Sequence, residues 1–105
     1  MSVVVEEHKS DGGRVGLAET EGGPMMAYVE YAREEHGDQV VLDAWHTFTD
    51  PKFRGQGLAE KATQGFCEYV QRQGFKMIPS CSYIATKFLP KHPELQELIF
   101  MIKKL

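Results

Sequence analysis

At Asp50-Pro51 the apolar pattern changes period, and that change restricts the fold more than any other feature of the chain. Before it, apolar and polar residues alternate. Met25 to Arg33 sets Ala27, Val29 and Tyr31 on one face, with Met26, Tyr28 and Glu30 on the other. Gln39 to Phe48 sets Val40, Leu42, Ala44, His46 and Phe48 on one face. Period two marks a strand with one buried side. Two shorter runs, Val3 to His8 and Arg14 to Glu19, come first, and the turn signals Asp11-Gly12-Gly13, Glu21-Gly22-Gly23-Pro24 and Glu35-His36-Gly37-Asp38 separate the four. Links this short imply an antiparallel meander.

After the break, Leu58, Ala62, Phe66, Tyr69 and Val70 recur at spacings of three and four, which predicts a helix from Leu58 to Gln73 stopped by Gly74. Phe75 to Ile78 follows as a short strand ended by Pro79. Strand, helix and strand in that order make a parallel crossover. Tyr83 to Leu89 reads as a short helix stopped before Pro90, and Leu95, Leu98, Ile99 and Ile102 suggest another from Pro93. The expected class is α+β, an antiparallel meander followed by a parallel βαβ crossover with short C-terminal helices. With 105 residues, the whole of 1–105 is read as one domain.

Composition narrows the function. Hydrophobic residues make up 42% and the formal net charge is -3, so a packed core is expected and non-specific attraction to nucleic acid or an anionic membrane is not. No run approaches the roughly 20 apolar residues that span a bilayer, and Met1 to Glu7 lacks the pattern of a signal peptide. Cys67 and Cys81 are too few for a disulfide framework, and with His8, His36, His46 and His92 they form no metal-ligand spacing. Two free thiols fit an intracellular, cytoplasmic location.

The chemistry concentrates in Phe53-Arg54-Gly55-Gln56-Gly57-Leu58-Ala59, between the fourth strand and the long helix. Glycines let the backbone curl and a ligand come close. The helix behind them opens with free N–H groups and no Ser, Thr, Asp or Asn cap, which suits a pyrophosphate with Arg54 adding charge. A turn whose N–H groups bind water is the alternative. No Lys-Ser or Lys-Thr follows the glycines, so this is not a Walker loop.

Arg54-x-x-Gly57-x-Ala59, after a strand and opening a helix, resembles the acyl-CoA pyrophosphate loop of the GNAT superfamily of N-acetyltransferases. With His46-Thr47 before it, and Ile78-Pro79-Ser80-Cys81-Ser82-Tyr83 and Phe88-Leu89-Pro90-Lys91-His92-Pro93 after it, the set is similar to the small single-domain GNAT-like proteins. The resemblance implies a minimal GNAT fold whose fourth and fifth strands splay around the pantetheine arm of acetyl-CoA. Backbone groups near Phe48 and Thr49 would bond that arm, and the N–H groups of Gly55, Gln56, Gly57, Leu58 and Ala59 would surround the pyrophosphate, with the thioester close to Cys81.

In that small family the cysteine matching Cys81 is the proposed catalytic residue. If Ser80 caps the next helix, Cys81 lies in its first turn, where the dipole favours thiolate, and a thiolate there could relay the acetyl group. A small buried hydrophobe is the competing reading for this residue, and the expected one for Cys67. His46 is either a general base for the amine or a histidine bonded within the sheet. Tyr83 either protonates the departing CoA thiolate or packs its ring. Glu30 and Asp43 read as solvated carboxylates, while Lys87, Lys91, Lys103 and Lys104 are surface charge or hold the CoA 3'-phosphate.

One departure matters. Larger GNAT enzymes carry Asn-x-x-Ala after the fifth strand and then a tyrosine acid; here Ser82 precedes Ala85 and Leu89 takes the tyrosine's place. The expected function is acetyl transfer from acetyl-CoA to an amine, small molecule or protein, with Cys81 standing as a possible relay. The alternative is a CoA-binding adaptor without catalysis. The helices that larger members insert between their first strands are missing, so the acceptor side is expected to be open or completed by a partner. Neither the acceptor nor the oligomeric state is written in the sequence.

Overall fold

A computed structural model describes residues 2–8, 11–20 and 22–101. Five strands run in chain order: β1 (Ser2–His8), β2 (Gly12–Ala18), β3 (Met25–His36), β4 (Gln39–Thr49) and β5 (Lys76–Ile78). They lie side by side in one sheet in the same order, and β1 to β4 are antiparallel neighbours. β5 pairs parallel with β4, joining Val41 to Lys76, Leu42 to Met77 and Asp43 to Ile78. After a 3₁₀ turn over Pro51–Phe53, the α-helix α1 (Leu58–Gln73) makes the crossover between them. The class is α+β, and a meander followed by a parallel unit is what the change of period predicts.

Local chemistry sets the limits of these elements. The β3–β4 turn is shorter than the loop Glu35 to Asp38 read from sequence. Both strands run through to Gly37-Asp38, where Gly37 takes a φ of 64° that a Cβ would disfavour. Gly74 ends α1 in the left-handed region, donating to the carbonyls of Gln71 and Val70. Inside α1 the buried Thr63 hydroxyl donates to the Ala59 carbonyl at 2.7 Å.

The core lies on one face of the sheet. Phe66, Tyr69 and Val70 of α1 meet Val15, Val29, Tyr31, Leu42 and Ala44 from the strands, and Ile84, Phe88, Leu89 and Leu98 close the same cluster from the C-terminal side. Tyr31 stacks obliquely near Phe66 at 5.9 Å between centroids. The tail after Pro79 departs from a simple pair of helices. Ser82 and Tyr83 begin a turn of α-helix that widens to a π-helix over Ile84–Phe88 and tightens to a 3₁₀ turn over Leu89–Lys91. Pro93–Leu98 is 3₁₀ rather than α, and Ile99 then bridges to Met77 in parallel. Pro90 and Pro93 each remove an N–H that a continuous helix would need. Ile102, Lys103 and Lys104 lie outside the described residues.

A bulge in β4 is the feature that positions the site. Pairing with β3 runs Glu30 to His46 and then Tyr31 to Ala44, so Trp45 is an extra residue without a partner. An inserted residue reverses which face the following side chains take. Val40, Leu42 and Ala44 face α1, as expected. Beyond the bulge it is Thr47, opposite the buried Val29, that faces α1, while His46 and Phe48 turn to the other side with Glu30 and Tyr28. The shared face expected for His46 and Phe48 with Leu42 is therefore wrong, and the bulge is the reason. Tyr28 and Phe48 stack at 5.0 Å on that second face.

Candidate active site

β4 and β5 part just beyond the bulge. The last parallel pair is Asp43 with Ile78; Pro79 then breaks β5, and one further bond, Cys81 N–H to Ala44 O at 2.8 Å, closes the inner end of the gap. Past that point β4 continues to Thr49 paired with β3 on one side and, among the described residues, with no strand on the other. The Asp50 N–H donates to the Met26 carbonyl at 2.7 Å. Alternation along an antiparallel ladder then turns the backbone groups of Phe48 toward Tyr28 and those of Thr47 and Thr49 toward the gap. Thr49 thus turns its backbone groups into the gap, where an amide-bearing arm would lie. For Phe48 the same alternation engages the backbone with β3.

Cys81 stands at the head of the gap, partly exposed, with its sulfur in a ring of donors. The Ala85 N–H donates to the Cys81 carbonyl at 3.1 Å, which makes Cys81, and not Ser80, the residue that precedes the helix. Its side chain does what a serine or aspartate does at that position. Burial pushes the thiol up, but hydrogen bonds from the Thr47 hydroxyl and the N–H groups of Ile84, Tyr83 and Thr47 outweigh it and hold the thiol below the ordinary range. The Thr47 hydroxyl lies 3.5 Å from the sulfur. Sequence reasoning singled out Cys81 but not Thr47, whose role depends on the bulge that turns it inward.

Tyr83 is the second group at this corner. Burial, the Glu60 carboxylate and Cys81 all push its phenol up, so it keeps its proton. His46 is not part of the cluster: it is exposed on the opposite face, its ring 5.5 Å from that of Trp45, which is 50% exposed. Leu89, where larger relatives carry tyrosine, is 4% exposed and packed into the core. Cys67 is likewise core at 2% exposure, its thiol pushed up to about 12 by burial and by Glu68. Glu30 and Asp43 are half-buried; one Asp43 oxygen is buried without a partner among the described residues.

The glycine loop forms the outer end of the same cleft. Gly55 and Gly57 have φ of 84° and 70°, both in the left-handed region, and a Cβ at either would meet no atom within 4 Å. The loop is therefore open above its backbone, and Arg54 and Gln56 are exposed. Gly57 is the N-cap of α1 with no side-chain cap. The first backbone bond of the helix, Lys61 N–H to Gly57 O, is 3.3 Å, which leaves the N–H groups of Leu58, Ala59 and Glu60 without an intrahelical acceptor. Open donors at the positive end of a helix suit a diphosphate. Lys87 and Lys91 are exposed on the neighbouring helix.

Among the described residues no three His, Cys, Asp or Glu side chains converge to hold a metal ion, and no helix is long and apolar enough to cross a membrane.

Comparison with known proteins agrees with this fold. The family model described as GCN5-related N-acetyl-transferase matches residues 14–98. The fold is similar to the crystal structure of a ribosomal-protein-alanine N-acetyltransferase from Brucella melitensis biovar Abortus 2308, with a TM-score of 0.56 at 10% identity over 92% of this chain and 69% of that one. It is also similar to the solution structure of a GCN5-like protein from Staphylococcus aureus, with a TM-score of 0.54 at 22% identity over 95% and 90% of the two chains.

Proposed function

The chain belongs to the GCN5-related N-acetyltransferase family, and on that footing we propose that it binds acetyl-CoA along the β4–β5 gap and passes the acetyl group to an amine through Cys81. The observation that carries this reading is the position of the Cys81 sulfur, among four donors at the head of a gap whose outer end is an uncapped glycine loop. The N–H groups of Gly55, Gln56, Gly57, Leu58 and Ala59 hold the diphosphate with Arg54 beside them. Thr49 bonds the pantetheine arm through its backbone, while Phe48, stacked on Tyr28, supports the strand from the opposite face. That arm brings the thioester to Cys81.

The transfer takes two displacements. The Cys81 thiolate forms a bond to the acetyl carbon while the carbon–sulfur bond to CoA breaks, and CoA leaves as thiolate, protonated by Tyr83. The amine nitrogen then attacks the acetyl-Cys81 thioester, Cys81 leaves as thiolate again, and the amine proton goes to a base. His46 serves as that base if the amine enters from the face away from α1, where the ring is exposed. Leu89 in the core supplies no acid, which favours a second reading in which the chain binds CoA without turnover.

Calorimetric titration with acetyl-CoA, paired with product analysis on a panel of amines, tests both. Saturable binding with amine acetylation supports transfer. Binding that weakens more than about tenfold in Gly57→Val, where a β-branched residue cannot hold φ of 70°, supports the loop assignment. Binding without any acetylated amine supports the second reading, and no binding at saturating ligand removes both.

A further inference from the structure

Glu60 is an awkward residue for a diphosphate site. It is the acidic side chain in the first turn of α1, beside the N–H groups that a diphosphate would use. A carboxylate there competes for the same positive helix end. The structure gives it a partner from a distant part of the chain. The Nε2–H of His92 donates to Glu60 Oε1 at 3.3 Å, and among the described residues Glu60 has no other hydrogen-bond or ion-pair partner.

The His92 ring is held firmly for this purpose. It stacks on Phe88 of the second helix, with centroids 4.3 Å apart and planes at 27°, and its side chain is 19% exposed. Its Nδ1 lies 3.7 Å from Glu94 Oε2. Below it a cavity of about 250 Å³ runs along α1 past Gln64 and Glu68. Among the described residues, Glu60 of α1 and Glu94 of its own segment are the ion-pair partners of the ring, and Glu68 of α1 lines the cavity beside it. On its other side Glu60 reaches the Cys81 corner through a shared neighbour: with its His92 contact in place it still pushes the Tyr83 phenol up, as the Cys81 thiol does.

We infer that His92 is a positioning residue for the candidate site: by holding the Glu60 carboxylate, it limits the reach of that charge over the diphosphate donors and over the corner that Tyr83 shares with Cys81. It also braces α1, which opens with the phosphate loop, against the helix that Cys81 precedes. The inference rests on the proposed function for its effect on CoA, but its effect on Cys81 needs no ligand.

The experiment uses the full chain as wild type, His92→Ala, His92→Gln, Glu60→Gln and the His92→Ala/Glu60→Gln double variant. Two quantities are read: the pH midpoint of Cys81 alkylation by iodoacetamide without ligand, and the Kd for CoA. Releasing a carboxylate toward the site is expected to raise the midpoint in His92→Ala by about half a pH unit and to weaken CoA about fivefold. His92→Gln, whose amide can still donate to Glu60, stays near wild type. Removing the Glu60 charge in the double variant restores both values, a reversal that a loss of packing alone would not give. If wild type fails to bind CoA while the alkylation midpoints move as stated, the proposed function falls and the role of His92 stands. If His92→Ala folds and the Cys81 midpoint is unchanged, or if adding Glu60→Gln to His92→Ala fails to restore it, the inference is wrong.

Discussion

The two cysteines carry one functional group into opposite surroundings. Cys67 lies mid-helix among Phe66, Val70 and the strands, where no hydration supports a charge and its thiol is pushed up to about 12. Cys81 lies where a strand ends and a helix begins, and helix starts leave N–H groups without acceptors. Its sulfur takes two of those backbone donors, from Tyr83 and Ile84, together with the N–H and hydroxyl of Thr47 on β4, and its thiol is held below the ordinary range. The residue type is constant, so the difference is made by where the backbone leaves its donors unused. The ring of donors around Cys81 is a product of chain geometry: Pro79 ends β5, the Trp45 bulge turns Thr47 inward, and the next helix supplies the rest.

The largest effect expected from this contrast is in alkylation. At neutral pH, iodoacetamide should label Cys81 faster than Cys67 by more than a hundredfold, an order-of-magnitude figure from thiolate fraction and access together. Peptide mass spectrometry of partly labelled protein gives the ratio, and comparable rates would erase the contrast.

The second effect is on stability, and its sign differs between the two thiols. Cys81 titrates below its unfolded value, so the stability it contributes is present above the ordinary thiol value of 9.0 and is lost as pH falls through its folded value. Cys67 titrates above, so its contribution is present below 9.0 and is lost as pH rises toward about 12. Urea unfolding across this range should show stability rising toward pH 9 in wild type but not in Cys81→Ala. The decline above pH 9 should shrink in Cys67→Ala. The same slope in wild type and Cys81→Ala would show that the donors around Cys81 do not favour its thiolate.

The smallest effect isolates one donor. Thr47→Val keeps the shape and removes the hydroxyl 3.5 Å from the sulfur. The alkylation midpoint of Cys81 should rise by about half a pH unit, with Cys67 unaffected.

These side chains were unequally legible in the sequence. The α+β class followed from the change of period at Asp50, and the glycine loop from its place between a strand and an amphipathic helix. Cys81 was visible through resemblance, though its role as the residue preceding a helix was assigned to Ser80. The bulge was not legible. An extra residue in a strand leaves Trp45 and His46 inside an otherwise regular alternation, and only the pairing with Glu30 and Tyr31 reveals it. A plain alternation carries everything downstream of that insertion to the wrong face: it groups His46 and Phe48 with the core residues Leu42 and Ala44 and leaves Thr47 on the other side. The partnership of Glu60 with His92 was hidden for a related reason, since 32 positions separate them and neither residue signals the other.

The central claim is that Cys81, alone of the two thiols, receives the acetyl group. Isotopically labelled acetyl-CoA mixed with wild type, Cys81→Ala and Cys67→Ala, quenched in acid and read by intact and peptide mass spectrometry, tests it directly. The account predicts one labelled acetyl group on the Cys81 peptide, present in Cys67→Ala, absent in Cys81→Ala and discharged when an accepted amine is added. Amine acetylation that proceeds undiminished in Cys81→Ala, with no adduct on wild type, would contradict it.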